Sequence, residues 1–359
     1  MKWHVKVLPE ARRDYLNTIY FLSGFYPSTP VNFQNAYRRI IRQLEDNPYS
    51  WSEYYDYPIY RRAIAGKYTI FYIVDDDARE VQIHRMLRGS SNILRILQND
   101  KNKHTAGRRP HMPLIISHRG ANKLAPENTL AAFKKALEFR VDGFENDVHM
   151  TADGQLVVCH DDTVDRTSNG TGMIHEMTFE QLRALDFGGW FAPEFAGEKI
   201  PTLAEFFALC GPLKVVNVEI KRAPDGGTAS APAVVRLAKE MGVFDKLIVS
   251  SFDMDMLQAC LAEDAATRVC FLYSPGTACC EALHGDPAAF AKQYGLYAYH
   301  PFVMLVSQDF IAECHEAGIV VNAWTVNQDH AIELLRDWDA DGIITDEPAL
   351  AMGIIYAGS

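Results

Sequence analysis

Val215-Val216-Asn217-Val218-Glu219-Ile220-Lys221 is an apolar run that ends in a carboxylate and an ammonium two residues apart. Successive side chains of a strand point to opposite faces, so Glu219 and Lys221 project from the same one. Seven further apolar or β-branched runs occupy residues 114–117, 143–148, 247–251, 268–273, 296–299, 319–325 and 342–345. Between most of them lie stretches with apolar residues at three- and four-residue spacing, at 129–139, 231–241, 254–263, 308–317 and 328–337. Eight strands alternating with helices over about 250 residues predict an α/β fold, a (β/α)8 TIM barrel. The run at 156–160 is surplus. It follows Glu145-Asn146-Asp147-Val148 after a Thr151-Ala152-Asp153-Gly154 turn, so it reads as the return arm of a hairpin. That arm opens a small insertion after strand two, about residues 149–199, and residues 202–209 read as the second barrel helix.

Polar side chains gather where the runs end: His118-Arg119-Gly120, Glu145-Asn146-Asp147, His160-Asp161-Asp162 and Glu219-Ile220-Lys221. In parallel α/β proteins the carboxyl ends of strands form the active face. Alternation aims Glu145 and Asp147 at one spot, and Glu219 adds a third carboxylate. Like charges so close repel unless a cation sits between them. Oxygen-only ligation favours Mg²⁺ or Ca²⁺ over a zinc cage of Cys and His. With two histidines, an arginine and a lysine alongside, these are the parts needed to hydrolyse a phosphate diester on a divalent cation.

The words His118-Arg119-Gly120-Ala121, Pro126-Glu127-Asn128-Thr129, Glu145-x-Asp147-Val148, Thr151-x-Asp153-Gly154, His160-Asp161, Arg166-Thr167, Gly170-Thr171-Gly172, Pro201-Thr202-Leu203, Glu219-Ile220-Lys221, Trp324-Thr325-Val326-Asn327 and Thr345-Asp346-x-Pro348 stand in the order seen in glycerophosphodiester phosphodiesterases. The chain resembles that family over most of residues 113–356. The resemblance implies hydrolysis of glycerophosphodiesters to sn-glycerol 3-phosphate and an alcohol, with Glu145, Asp147 and Glu219 binding the metal. It further implies that His118 and His160 act as general acid and base and that Arg119 and Lys221 hold the phosphate. Which histidine plays which part stays open, as does the nucleophile, water or the substrate's own glycerol hydroxyl. Trp324 is a candidate wall for the glycerol carbons, Asp346 a candidate support, and Phe252, Phe187 and Trp190 candidates for the mouth. The chain departs from the family pattern at Asn146, where the pattern has an apolar residue. Alternation turns this side chain out of the barrel, so altered packing is expected with the ligand geometry intact.

The remaining third has a different character. Residues 1–98 hold 14 basic and 10 acidic side chains and residues 99–112 four and one; as the whole chain is −11, residues 113–359 carry −18. Such asymmetry favours separate domains. Pro9-Glu10-Ala11 opens a helix to about Leu22, a second spans 31–44, and strands are expected at 5–8, 59–64, 67–74 and 80–86. Val5 to Asp14, Asn47-Pro48, Arg61-Arg62, Gly66 to Tyr72 and Val81 to Arg85 resemble the ParE/RelE-type toxins of toxin–antitoxin systems. That resemblance implies a small α+β domain at 1–98, with Arg61, Arg62, His84, Arg85 and Arg88 as candidates for contacting an antitoxin, RNA or gyrase. Residues 99–112 are polar and basic and read as a linker, and 113–359 as the enzyme, so the chain reads as a gene fusion.

Two alternatives follow: a toxin or binding module with a passenger barrel, or a barrel that acts on lysophospholipids or stops at a cyclic phosphate. Seven cysteines without C-x-x-C spacing, no signal peptide and no apolar run near 18 residues point to a reducing cytoplasm. The acidic enzyme portion argues against adsorption to anionic lipid, so soluble head-group diesters are the expected substrates.

Overall fold

The computed structural model describes residues 2–23, 28–54, 59–88, 112–224, 226–277, 283 and 285–356. The expected linker, apart from Met112, lies outside the described residues, as do Cys279 and Cys280 and the side chain of Arg88. The chain divides into two compact units, Met1–Arg109 and Pro110–Ser359.

The first unit carries a four-stranded sheet in the order β1 (His4–Val7), β4 (Glu80–Arg88), β3 (Tyr68–Asp75), β2 (Arg61–Ala65). β1 runs parallel to β4, and the other pairs are antiparallel. Helices α1 (Pro9–Ser23) and α2 (Ser28–Asp46) pack on it around Leu44, Ile70, Tyr72 and Ile83. The order helix, helix, strands matches the sequence reading, with β2 starting two residues later than expected.

In the second unit eight parallel strands close into a barrel. In chain order these are β5 (Leu114–His118), β6 (Gly143–Met150), β8 (Val215–Ile220), β9 (Leu247–Ser251), β10 (Val269–Tyr273), β11 (Ala298–Pro301), β12 (Val320–Ala323) and β13 (Gly342–Thr345). Pairing of β13 with β5 and of β5 with β6 shuts the ring. Strands buried on both faces need apolar residues on both, and β8 to β10 are buried at every position. Ile116, Val215, Ile248, Cys270, Ala298 and Ile344 fill one layer of the interior. Gly143 is required there: a Cβ at its position would lie 2.3 Å from Val215 Cγ1.

The hairpin arm is β7 (Leu156–Val158), antiparallel to β6 with Val148 opposite Val158. The insertion has its own core of Val157, Cys159, Val164, Ile174, Leu182, Phe187 and Ile200. Phe187 is therefore a core residue, 4 % exposed, and not part of the mouth as the sequence suggested. After β5 comes α3 (Leu130–Leu137), capped by Thr129, whose hydroxyl accepts from the Ala132 amide. The insertion holds α4 (Phe179–Ala184), and α5 (Leu203–Phe207) is the helix that resumes the barrel. Each starts on a capping box, Thr178 with Gln181 and Thr202 with Glu205. Between β10 and β11 lies α8 (Pro287–Tyr294), which follows α6 (Ser230–Glu240) and α7 (Met254–Glu263). The sequence reading passed over α8 although Asp286, Pro287 and Gly295 mark its ends.

Candidate active site

His118 ends β5, and the next residues turn sharply. Arg119 has φ +56° and Gly120 φ +81°, and a Cβ on Gly120 would meet the Ala132 backbone at 2.7 Å. The glycine lets the loop lie against α3, while a left-handed non-glycine residue such as Arg119 marks strain of the kind kept at functional sites. The Arg119 amide donates to Glu145 Oε2 at 3.2 Å and its Nη1 to Glu127 Oε1 at 3.0 Å. Its Nε lies 3.2 Å from Asp147 Oδ2 but makes no aligned hydrogen bond.

β6 and β8 are in register so that Asp147 faces Glu219, and His118 of β5 faces Glu145. Glu145, Asp147 and Glu219 are at most 9 % exposed, and each offers an oxygen within 4.8 Å of the other two. Lys221 Nζ is 2.8 Å from Asp147 Oδ1 and also bonds Glu219 Oε1. Burial pushes the Glu145 carboxyl well up, and the neighbouring Asp147 and Glu219 add to the shift. Burial likewise lifts Glu219, to about 7 against the pull of Lys221, with Asp147 adding to the rise. Burial would raise Asp147 too, but Lys221 and Arg119 outweigh it and hold this carboxyl far below its usual range. Three crowded buried carboxylates, two of them driven toward protonation, are the donor set a hard divalent cation satisfies.

Each histidine leans on a carboxylate. His118 Nδ1 is 2.6 Å from Asp346 Oδ1, and its Nε2 lies 3.9 Å from Glu145 Oε2. Asn122 and Asn327 donate to the two Asp346 oxygens at 2.5 and 2.7 Å. Burial would raise Asp346, but the bond from His118 and its attraction hold it low. His160 Nδ1 is 2.6 Å from Asp161 Oδ1, and burial lowers the His160 pKa below its ordinary value. With Nδ1–H given to a carboxylate, each ring keeps Nε2 for exchange with a reacting group. Behind His160, His149 Nε2 donates to the His160 carbonyl at 3.3 Å.

Trp324 follows β12 and is half-buried, its Nε1 donating to the His300 carbonyl at 2.6 Å. Phe252 and Phe302 meet its ring edge-to-face at 5.6 and 5.5 Å. Phe252 is 42 % exposed, so this aromatic group has an open side.

In the first unit Arg61, Arg62 and Arg85, three of the candidates named from the sequence, are engaged within it. Arg61 bonds Trp51 O and Glu53 and lies over the Tyr49 ring, Arg62 lies over Tyr54, and Arg85 pairs with Asp14 at 2.8 Å. A mostly apolar groove of about 450 Å³ in that unit is lined by Phe21, Leu22, Phe33, Ala36 and Tyr68, with Asn32 and Lys67 also on its wall.

Residues 118–350 match the glycerophosphoryl diester phosphodiesterase family. The chain belongs to that family. A glycerophosphodiester phosphodiesterase of Caldanaerobacter subterraneus subsp. tengcongensis is 37 % identical over 250 residues, 68 % of this chain and 98 % of that protein. A phosphodiesterase of Oleispira antarctica, solved with the product sn-glycerol 3-phosphate, is similar with a TM-score of 0.61 and 28 % identity over 68 % of this chain and 97 % of its own. A crystal structure named as a glycerophosphoryl diester phosphodiesterase, from Silicibacter pomeroyi DSS-3, gives a TM-score of 0.64 at 26 % identity over 69 % and 95 %. The chain is thus a phosphoric diester hydrolase of glycerophosphodiesters carried on a closed eight-stranded barrel. These relatives say nothing of residues 1–98.

In this phosphodiesterase the barrel brings His118, Arg119, Glu145, Asp147, Glu219 and Lys221 into one connected cluster, joined to His160 by way of Glu127, Arg166 and Asp161. Sequence reasoning gave no role to Glu127, Asn128, Asp161 or Arg166, although all four stand in the family's words. Asn128, with φ +58°, donates to Asp147 Oδ2 at 2.9 Å and fixes one carboxylate of the cluster. Asn122 and His149 carried no signal, because only the folded chain sets them beside Asp346 and His160.

Proposed function

We propose that this chain hydrolyses glycerophosphodiesters to sn-glycerol 3-phosphate and an alcohol by two-histidine acid–base catalysis at a single divalent-metal site. The carrying observation is that two imidazoles, each bonded through Nδ1 to a carboxylate at 2.6 Å, lie by a buried cluster of three carboxylates, His118 opposite Glu145 and His160 near enough to Asp147 for each to act on the other's charge. Glu145, Asp147 and Glu219 would hold Mg²⁺ or Ca²⁺, which when bound polarises the phosphate and stabilises charge on its non-bridging oxygens. Arg119 and Lys221 hold the phosphate. His118 and His160 divide the two proton transfers: one takes a proton from the attacking nucleophile, and the other gives one to the leaving alkoxide. Asp346 and Asp161 fix the ring tautomers, and Trp324 is the wall against which the glycerol carbons pack. The product complex of the Oleispira relative supports this choice of product.

Residues 1–98 are read as an accessory domain of ParE/RelE type, joined by 99–112 to the enzyme at 113–359, in a cytoplasmic protein. Among the described residues no helix is long and apolar enough to cross a membrane, and five cysteines are free and buried.

The test is release of glycerol 3-phosphate from glycerophosphocholine with Mg²⁺, Ca²⁺ or EDTA, for wild type and Glu145→Gln. Product formation that EDTA stops and Glu145→Gln abolishes is expected. EDTA-resistant turnover, or full activity in Glu145→Gln, would remove the metal assignment.

A further inference from the structure

Arg166 lies in the insertion, outside the carboxylate cluster, and its side chain is 45 % exposed. A surface arginine is ordinarily a weak contributor. This one differs in what it joins. Its Nε and Nη2 donate to Asp161 Oδ2 and Oδ1 at 2.7 and 3.0 Å, and its Nη1 and Nη2 donate to Glu127 Oε2 and Oε1 at 2.9 and 2.8 Å. Both carboxylates are gripped in bidentate fashion, which the planar guanidinium permits and an ammonium does not. Each carboxylate then reaches inward to a different part of the site. Asp161 Oδ1 meets His160 Nδ1 at 2.6 Å, and Glu127 Oε1 meets Arg119 Nη1 at 3.0 Å.

We propose that Arg166 is a positioning residue that ties the imidazole of His160 to the guanidinium of Arg119, across the seam between the insertion and the loop from β5 to α3. The inference rests on the roles given above to His160 and Arg119. Those two groups come from separate stretches of chain, one at the mouth of the hairpin arm and one after β5, and proton transfer at a held phosphate needs them in fixed relation. Groups misplaced by an ångström or so lose much of their rate advantage. The chain His160, Asp161, Arg166, Glu127, Arg119 supplies that relation through hydrogen bonds of 2.6 to 3.0 Å. The loop at its far end also carries Asn128, which holds Asp147, so one brace sets an acid–base group, a phosphate contact and a carboxylate of the cluster. The insertion does not need Arg166 to fold, since its own apolar core closes it.

The experiment measures kcat and KM on glycerophosphocholine for the full chain and for Arg166→Ala, Arg166→Lys, Asp161→Asn, Glu127→Gln, the doubles of Arg166→Ala with each of the last two, and His160→Ala and Arg119→Ala as references. Arg166→Ala is expected to lose about 10–100-fold in kcat, the usual cost of removing an orienting partner, with KM moving less than in Arg119→Ala. Arg166→Lys keeps the charge without the fork and should recover only part of the loss. Each double should lose little beyond its worse single. Arg166→Ala within twofold of wild type, full activity in Arg166→Lys, or losses that multiply in the doubles would each overturn the brace. Should Arg166→Ala not fold by circular dichroism, Arg166→Lys and Glu127→Gln decide by the same criteria. Activity retained by His160→Ala would remove the role of His160 itself, an outcome distinct from a dead His160→Ala beside a fully active Arg166→Ala.

Discussion

His300 sits on β11 inside the barrel, 0 % exposed, and burial pushes its imidazole down to about 3. Its Nε2 accepts from Asn322 Nδ2 at 2.8 Å, and its Nδ1 has no partner. The ring is held neutral. An unfolded histidine titrates near 6.5, so below that pH the unfolded chain takes up a proton that the folded chain refuses. The contribution of His300 is thus present in full above about 6.5 and lost as pH falls toward 3. At about 1.36 kcal/mol per pH unit once the unfolded imidazole is fully protonated, lowering the pH from 7 to 4.5 costs the native state about 2–3 kcal/mol through this residue. His300→Leu removes that dependence while leaving the Asn322 amide unpaired at every pH. The assay is urea unfolding of wild type and His300→Leu at pH 7.0 and 4.5, followed by tryptophan fluorescence, since the Trp324 indole is bonded to the His300 carbonyl. The stability difference between the two proteins should move by about 2–3 kcal/mol in the variant's favour at the lower pH. An unchanged difference would refute the reasoning, because it would mean that the folded chain protonates His300 as readily as the unfolded one.

Asp346→Asn puts an amide where His118, Asn122 and Asn327 present three donors, so kcat should fall about 10–100-fold with KM within a few-fold, as steady-state kinetics would read. Asn146 is wholly buried with neither amide atom bonded, and Asn146→Leu should raise stability by about 1–3 kcal/mol; a melting curve checks this, with turnover unchanged. In the first unit, Arg85→Met removes the cation paired with the half-buried Asp14 carboxylate, which also accepts from the Met86 amide, and should cost about 2–4 kcal/mol, read as faster hydrogen exchange in β3 and β4.

The barrel was legible because most of its strands are runs too apolar to face water, and because polar residues gather toward one end of several of them. The metal-type triad was legible for the same reason, since alternation along β6 and β8 decides where Glu145, Asp147, Glu219 and Lys221 point. What could not be read were contacts between residues brought together only by ring closure. Asp346 is a candidate support by its family word alone; its partner His118 is 228 residues away, and nothing in either sequence neighbourhood pairs the two. Phe187 shows the opposite error: an aromatic next to two glycines looks like a mouth residue, but the insertion is large enough to have a core of its own and claims it. Alternation sets Asn146 on the face opposite Glu145 and Asp147, but nothing in the sequence indicates that its amide finds no partner.

The charge balance of the site constrains how it works. Glu145, Asp147 and Glu219 are buried with two cations, Arg119 and Lys221, and the carboxylates hold both: Lys221 at 2.8 Å from Asp147 and Arg119 at 3.2 Å from the same residue. These are also the two groups that a phosphate would claim. A side chain cannot neutralise a carboxylate and a phosphate equally well at the same moment, so strong phosphate binding by Arg119 and Lys221 requires the carboxylates to be neutralised in another way. Protonation is one route, and Glu145 and Glu219 already lean toward it; a divalent ion on the three carboxylates is the other, and it leaves the lysine free. On this view, cation and substrate binding favour each other because they compete for opposite ends of the same two ion pairs. The brace through Glu127 then has a second purpose, since it anchors Arg119 from outside the cluster and keeps it in place when its ion pair with Asp147 is given up.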